Sequence, residues 1–190
     1  MNKDTLVFGV GNAKLEKDTV TFSLPAGHAC PFAHQCRSSA DRETGKIKDG
    51  PHTQFRCYAA NSESLFRNVR VGRWNNFDRI RAGGTTEQIA ALITASIPRR
   101  RGKTKLVRFH QSGDFFNQAY FDAWLLAARQ NPDLIFYGYT KALQFWVNRL
   151  AEIPANFKVV ASRGGLQDAL IEKHNLRSVK VVFSKYAARK

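Results

Sequence analysis

"KLVRFHQSGDFFNQAYFDAWLLAARQNPDLIFYGYTKAL", Lys105 to Leu143, is the stretch that decides the fold. Its opening, "KLVRFH", is short and rich in β-branched and aromatic residues, and reads as a strand. "NQAYFDAWLLAARQ" puts Tyr120, Trp124, Leu125 and Ala128 at helical spacing, so one face of a helix is apolar. "DLIFYGYT" is a strand again. Strand, helix and strand with short connections make a βα unit, which implies parallel strands. The pattern continues: "ALQFWVNRLAE" reads as helix, "FKVVAS" as strand, "LQDALIEKHN" as helix and "SVKVVFS" as strand. The chain is therefore α/β with a parallel sheet. Right-handed crossovers place its helices on one side of a curving sheet or on both faces of an open one.

Working towards the N-terminus, the regularity fades. "TTEQIAALITASI" predicts a helix capped at Thr85 or Thr86, and "NSESLFRNVRVGRWNNFDRIR" one capped at Asn61 or Ser62. Residues 28–60 are irregular. "RSSADRETGKIKDGPHTQFR" is polar, with Gly45, Gly50 and Pro51, and reads as a long loop with a small turn at "TGKIKDG". Loops of that length are uncommon unless functional or held by something. Within residues 1–27, "TLVFGV" and "TVTFSL" predict an N-terminal β-hairpin ended by Pro25 and Gly27. At 190 residues the chain reads as one domain, 1–190, with hairpin, cysteine loop and βα units in that order.

The loop carries the chain's only three cysteines, Cys30 and Cys36 in "CPFAHQC" and Cys57 in "RCYAA". No stretch reaches the ~18–20 apolar residues of a membrane helix, and the start shows no signal peptide. The expected location is the cytoplasm, where thiols stay reduced, so a metal site is favoured over a disulfide. Zinc would want a fourth ligand, for which His28, His34 and His52 are near in sequence. A three-cysteine iron–sulfur cluster is the other option, and leaves one iron open to a small-molecule ligand. Unrelated buried thiols are the plain alternative. The polar surroundings and Pro31 argue against it.

Parallel sheets place ligand sites at the carboxyl ends of their strands. Here those ends carry His110, Gln111, Ser112, Gly113 and Asp114; then Tyr139, Thr140 and Lys141; then Ser162, Arg163, Gly164 and Gly165; then Ser184, Lys185 and Tyr186. Gly113 would let a backbone approach a ligand closely. Asp114 could accept from an amine, and His110 could donate, accept or bind metal. His110, Asp114 and Lys141 are the candidate catalytic residues, and Ser112, Gly113, Asp114, Thr140 and Arg163 the candidate cofactor contacts. The plain alternative is that Ser112 or Asp114 caps the next helix. Gly164-Gly165, before a helix start and beside Arg163, reads as an anion site.

The net charge is +15, from 30 Lys and Arg against 15 Asp and Glu. Such an excess favours a polyanion, and nucleic acid is the usual one. The charge is spread over Arg67–Arg73, "FDRIR", Arg99–Lys105 and "AARK". Spread charge gives affinity without sequence readout.

Several of these motifs occur together in one family. "SLPAGHACPFAHQC", "DGPHTQFRCYAA", "RWNNFD", "RFHQSGDFFNQAYFDAWLLAARQNPDLIFYGYTKAL" and "SRGG" resemble the phage-associated gene product 88 family, from about Ser23 to about Gly165. The pattern is also distantly similar to radical S-adenosylmethionine proteins. That likeness implies a partial, open parallel βα barrel and a [4Fe-4S] cluster on Cys30, Cys36 and Cys57. It implies that "HQSGDF" holds the amino group of adenosylmethionine. The usual cysteine spacing is C-x-x-x-C-x-x-C, whereas these three span 28 positions. The expected function is a radical-SAM-like iron–sulfur protein with an open iron facing a polar rim. The alternative is a non-catalytic nucleic-acid-binding phage protein stabilised by zinc or a cluster.

Overall fold

A computed structural model describes residues 5–10 and 13–184. β1 (Phe8–Val10) and β2 (Thr19–Ser23) come first, then β3 (Ser38–Ala40) and β4 (Ile47–Asp49). Three helices follow: α1 (Tyr58–Leu65), α2 (Arg67–Ala82) and α3 (Thr86–Ser96). The remainder alternates: β5 (Leu106–Ser112), α4 (Gln118–Gln130), β6 (Ile135–Thr140), α5 (Leu143–Val147), β7 (Phe157–Ser162), α6 (Ala169–Lys173) and β8 (Ser178–Val179).

Six strands form one sheet in the order β1-β2-β5-β6-β7-β8. β1 is antiparallel to β2, and the other neighbours are all parallel. The molecule is thus a mixed α/β fold with a mostly parallel central sheet. The strand order never reverses. Right-handed crossovers in a sheet that grows in one direction put every connecting helix on the same face, whereas a doubly wound sheet must reverse. Burial agrees with that geometry. Val107, Phe109, Phe136, Phe157 and Val159 alternate along their strands and share one core with Phe121, Trp124 and Leu125 of α4. Phe109 stacks on Phe157 at 4.7 Å, and Gly138 leaves the space between them, since a Cβ there would meet the Phe109 ring at 2.4 Å.

Residues 38–49, read from the sequence as loop, form a β-hairpin with Ser38 opposite Asp49. Its tip is built by Asp41, whose Oδ1 accepts from the backbone N–H groups of Glu43 and Thr44 and from the Thr44 hydroxyl. Gly45 follows at φ 74°, where a side chain would collide with the Arg70 guanidinium. The predicted single helix over 61–81 is two. Phe66 is extended between α1 and α2, and α1 starts earlier, with Cys57 at its N-cap. Arg70, almost fully buried, donates to the carbonyls of Glu63, Arg42 and Glu43, tying the break to the hairpin.

Downstream elements are shorter than their sequence patterns. α5 stops at Val147, and the chain turns through Leu150–Glu152 into an extended Ile153, the conformation favoured before Pro154. α6 has five residues and β8 two. Of the two caps expected for α3, Thr85 and Thr86, Thr85 fills the role, and it adds a full capping box to Gln88. Lys185, Tyr186 and the basic "AARK" lie outside the described residues.

Candidate functional site

The segment after β2 is pinned across the carboxyl ends of the strands. The Leu24 N–H donates to the Ser112 carbonyl at 2.9 Å, and the Asp114 N–H to Ala29 at 3.0 Å. Further on, the Gln35 N–H donates to the Gly164 carbonyl at 3.1 Å, and Leu166 to Phe32 at 2.9 Å. The loop bearing Cys30 and Cys36 therefore spans from β5 to the end of β7. Cys57 arrives from the other side as the N-cap of α1, its N–H donating to the Ser38 hydroxyl at 3.3 Å. Its side chain makes no capping bond.

These anchors bring all three thiols to one cavity of about 340 Å³. Ser112, Gly113, Asp114, Thr140, Lys141 and Ser162 line it from the strand ends. Phe55, Tyr58, Tyr139 and Val181 complete its lining. Burial pushes the Cys30 thiol well above its ordinary range, and the Asp114 charge adds to this. Cys36 is also raised by burial, while Lys141 pulls it back down. The Cys30 thiol also feels both other sulfurs, and the Cys36 thiol feels that of Cys57.

The histidines considered as a fourth ligand lie elsewhere. His34 and His52 stack on each other at 4.6 Å, and His28 packs on Trp74 at 4.8 Å. None lines the cavity. Among the described residues, no three His, Cys, Asp or Glu side chains converge tightly enough to hold a metal ion as they stand.

Asp114 is buried, and its oxygens are engaged. Oδ1 accepts from the Thr140 hydroxyl at 2.6 Å and from the Phe115 N–H at 2.8 Å; Oδ2 accepts from the Lys141 N–H at 2.7 Å. Burial raises its carboxyl to about 6, and these hydrogen bonds partly oppose the rise. It ties the end of β5 to the end of β6. Neither Ser112 nor Asp114 caps α4; Asn117 does, accepting from the Tyr120 N–H at 2.8 Å. Lys141 is buried too. Its ammonium donates to the Ser162 carbonyl and hydroxyl and to the Arg163 carbonyl, at 2.7–2.9 Å. Gly113, at φ 79°, packs so closely on Leu24 that a Cβ would sit 2.6 Å from it. Its glycine serves chain packing as well as the cavity wall.

Three sequence expectations are corrected by the geometry. His110 does not face the rim. A bulge in β5 shifts its register against β2, Thr21 opposing Arg108 but Ser23 opposing Ser112, and His110 itself sits at φ 51°. Alternation fails there, so Phe109 and His110 are both buried. The imidazole packs among Phe115, Tyr120 and Trp124, with Nε2 2.9 Å from the Tyr120 hydroxyl and Nδ1 unpaired. Arg163 also turns away: it pairs with Glu172 at 2.8 Å and donates to the Ser178 hydroxyl. The expected anion site at Gly164-Gly165 is filled from within, since both N–H groups donate to the Asp168 carboxylate at 2.8–2.9 Å.

Burial lowers the His110 imidazole from 6.5 to about 3. Between those values the unfolded chain takes up a proton that the folded chain refuses. The stability is therefore whole above the unfolded value and drains away as pH falls towards the folded one. Lowering the pH from about 7 to about 5 should cost roughly 2 kcal/mol through this residue alone. His110→Gln keeps a partner for Tyr120 and removes the titration. Between the two pH values the parent should lose about 2 kcal/mol more unfolding free energy in urea than that variant, in which Asp114 and the other groups still titrate; an equal acid sensitivity in both proteins would clear His110 of the effect.

Residues that sequence reading missed are Phe55, Tyr58 and Glu63. The first two flank Cys57, which was their only signal. Tyr58 reaches across the cavity to donate to the Gln111 carbonyl. Glu63 is completely buried and accepts from the Ala26 N–H at 2.9 Å and from Arg73 at 2.7 Å, with the Ser112 hydroxyl 3.4 Å away. It fixes α1, and hence Cys57, to the segment leading to Cys30.

No helix among the described residues is long and apolar enough to cross a membrane, and no solved structure matches the fold. Two curated relatives are similar to the chain. The Gene 88 protein of Mycobacterium phage L5 is 33% identical over 90 residues, and that of Mycobacterium phage D29 is 29% identical over 90 residues. In both, the matched stretch covers 45% of this chain and 38% of the relative, so the chain spans well under half of the relatives' length. The family model described as Gene product 88 matches residues 4–190, and the chain belongs to that phage family.

Proposed function

We propose that this chain is an iron–sulfur protein in which Cys30, Cys36 and Cys57 hold a [4Fe-4S] cluster. One observation carries the reading: three cysteines spread over 28 positions, the chain's full complement, line a single cavity at the carboxyl ends of a parallel sheet. Zinc fits the donors less well. A tetrahedral zinc with ~2.3 Å bonds to sulfur draws its ligands to about 4 Å of each other. No histidine lines the cavity to serve as a fourth zinc ligand. A four-iron cluster sets iron and sulfide between its thiolates and wants three sulfurs around an open space.

When bound, such a cluster supplies electron transfer and one open iron for a small molecule. The chain's own residues would hold and neutralise it. Lys141, buried beside Cys36, offers the positive charge that a three-thiolate site needs. Ser112, Asp114 and Thr140 line the same cavity and would border the cluster. The sheet with strands in sequential order and the site on its carboxyl rim support the likeness to radical S-adenosylmethionine proteins. The internal bonding of Asp114 and the turned-away Arg163 leave few free groups for an adenosylmethionine amine and carboxylate. The cluster is thus the firmer half of the proposal, and that cofactor is the ligand its open iron would be tested with.

Anaerobically purified protein should contain about four irons and four sulfides per chain, with broad absorption near ~400 nm. Stoichiometric zinc without sulfide would overturn the proposal, as would protein free of both after reconstitution with iron and sulfide.

A further inference from the structure

The connecting helix α4 packs on one face of the sheet, while α1 and α2 lie against the other face only at its β1–β2 end and at Gln111. On the other face, strand register lines up Arg108, Tyr137 and Lys158 in one row across β5, β6 and β7. Neighbouring strands lie ~4.8 Å apart, so the row spans about 10 Å. Two residues further along β6, on the same face, Tyr139 is 41% exposed, with the Arg108 guanidinium 5.8 Å from its ring. Val160 lies opposite Tyr139 on β7. Lys158 is exposed, and Tyr137 is half-buried. The Arg108 Nε has no hydrogen-bond partner. On β5, β6 and β7 the residues of this face include no Asp or Glu.

A solvated sheet face usually carries mixed small polar and charged residues. Here Tyr137 stands between an arginine and a lysine, and Tyr139 lies beside the same arginine, on a chain of net charge +15. The basic run at Arg99–Arg101 is a weaker candidate for the polyanion contact. Arg99 is spent on Asp133 and Asn131, and Arg100 donates to the Lys17 carbonyl. Flat rings at about one per nucleotide length, flanked by cations, suit unpaired bases that stack while their phosphates meet the positive charges. A duplex offers no free base faces to such a surface, and a protein or lipid partner would not need the alternation of ring and cation.

We infer that this open sheet face binds single-stranded nucleic acid, with Tyr137 and Tyr139 stacking on bases and Arg108 and Lys158 meeting phosphates. Tyr139 also lines the cysteine cavity, so a strand on this face runs up to the mouth of that site. The inference does not depend on which metal, if any, the cysteines hold.

The test is fluorescence anisotropy of labelled 20-nucleotide single-stranded DNA and RNA, and of a DNA duplex of the same sequence, titrated with the full chain at about 50 and 200 mM salt. Either single strand should bind, more weakly at the higher salt, and the duplex should bind at least tenfold more weakly. Tyr137→Ala/Tyr139→Ala should lose roughly 10- to 100-fold in affinity, and Tyr137→Phe/Tyr139→Phe should bind like the parent because the rings remain. Arg108→Gln/Lys158→Gln should flatten the salt dependence, and serves as the second variant if the alanine pair folds poorly. Metal content measured on the same samples separates this inference from the cluster: loss of one leaves the other standing. Failure of every single strand to bind, duplex binding as tight as single-strand binding, or full affinity in both the alanine and the charge variants overturns it.

Discussion

Arg73→Met should destabilise the fold by about 3–5 kcal/mol, the loss expected when one partner of a buried ion pair is removed. Glu63 is wholly inaccessible to solvent, and the Arg73 side chain is only 10% exposed. One carboxylate oxygen accepts from Arg73 and from the Ala26 N–H, while the other has no partner. Without the guanidinium, Glu63 is a buried charge facing one N–H and a distant hydroxyl. Arg73 also donates to the Ala59 carbonyl at 3.0 Å, so a second bond is lost with it. Glu63→Leu/Arg73→Met removes both charges, and should cost far less than the sum of the two single changes. Chemical denaturation of the four proteins measures the coupling. A single-variant loss below about 1 kcal/mol would mean that water or a shifted neighbour satisfies Glu63. The pair also bears on the proposed cluster. It joins α1 to the strand end before Cys30, so Arg73→Met should also retain metal poorly.

The parts of the fold that could be read from sequence are those whose burial follows a short local period. Phe109, Trp124 and Phe136 announced β5, α4 and β6 because each repeats its element's spacing and all three meet in one core. The cysteine loop was different. Strands β3 and β4 have three residues each, and their stability is long-range: Arg70 bonds the tip, and Arg42 pairs with Asp78 and lies over Trp74. No local window contains those partners. The rim was half legible. Polar residues at strand ends identified Ser112, Asp114, Thr140 and Lys141, which do line one cavity. The side on which His110 falls depends on a bulge, and one inserted position reverses a side chain's face. That Asp114 and Lys141 spend their bonds on the protein itself is a property of three dimensions, since their partners lie 21–27 residues away in sequence.

Cys57→Ala should abolish cluster binding, and the comparison with Cys57→Ser tells a ligand from a structural residue. Cys57 occupies the N-cap of α1 yet makes no capping bond, so its side chain contributes nothing to the helix that serine could not improve. If its role were structural, Cys57→Ser would be as stable as the parent and would keep whatever the parent holds. As a ligand it behaves otherwise. Iron and sulfide should fall from about four each per chain to near zero in Cys57→Ala. Cys57→Ser should lose most of them too, because a hydroxyl replaces the soft thiolate that iron–sulfur centres prefer. Metal binding draws on folding free energy, so the segment between Cys36 and Cys57 should become more open to trypsin in both variants. Arg37, Lys46 and Lys48 are the sites expected to be cut first, whereas Arg56 is held by Asp49. Cys30→Ala and Cys36→Ala should repeat the result from the other side of the cavity. Full iron content in any one of the three alanine variants would show that residue not to be a ligand, and full content in all three would remove the cluster from these cysteines altogether.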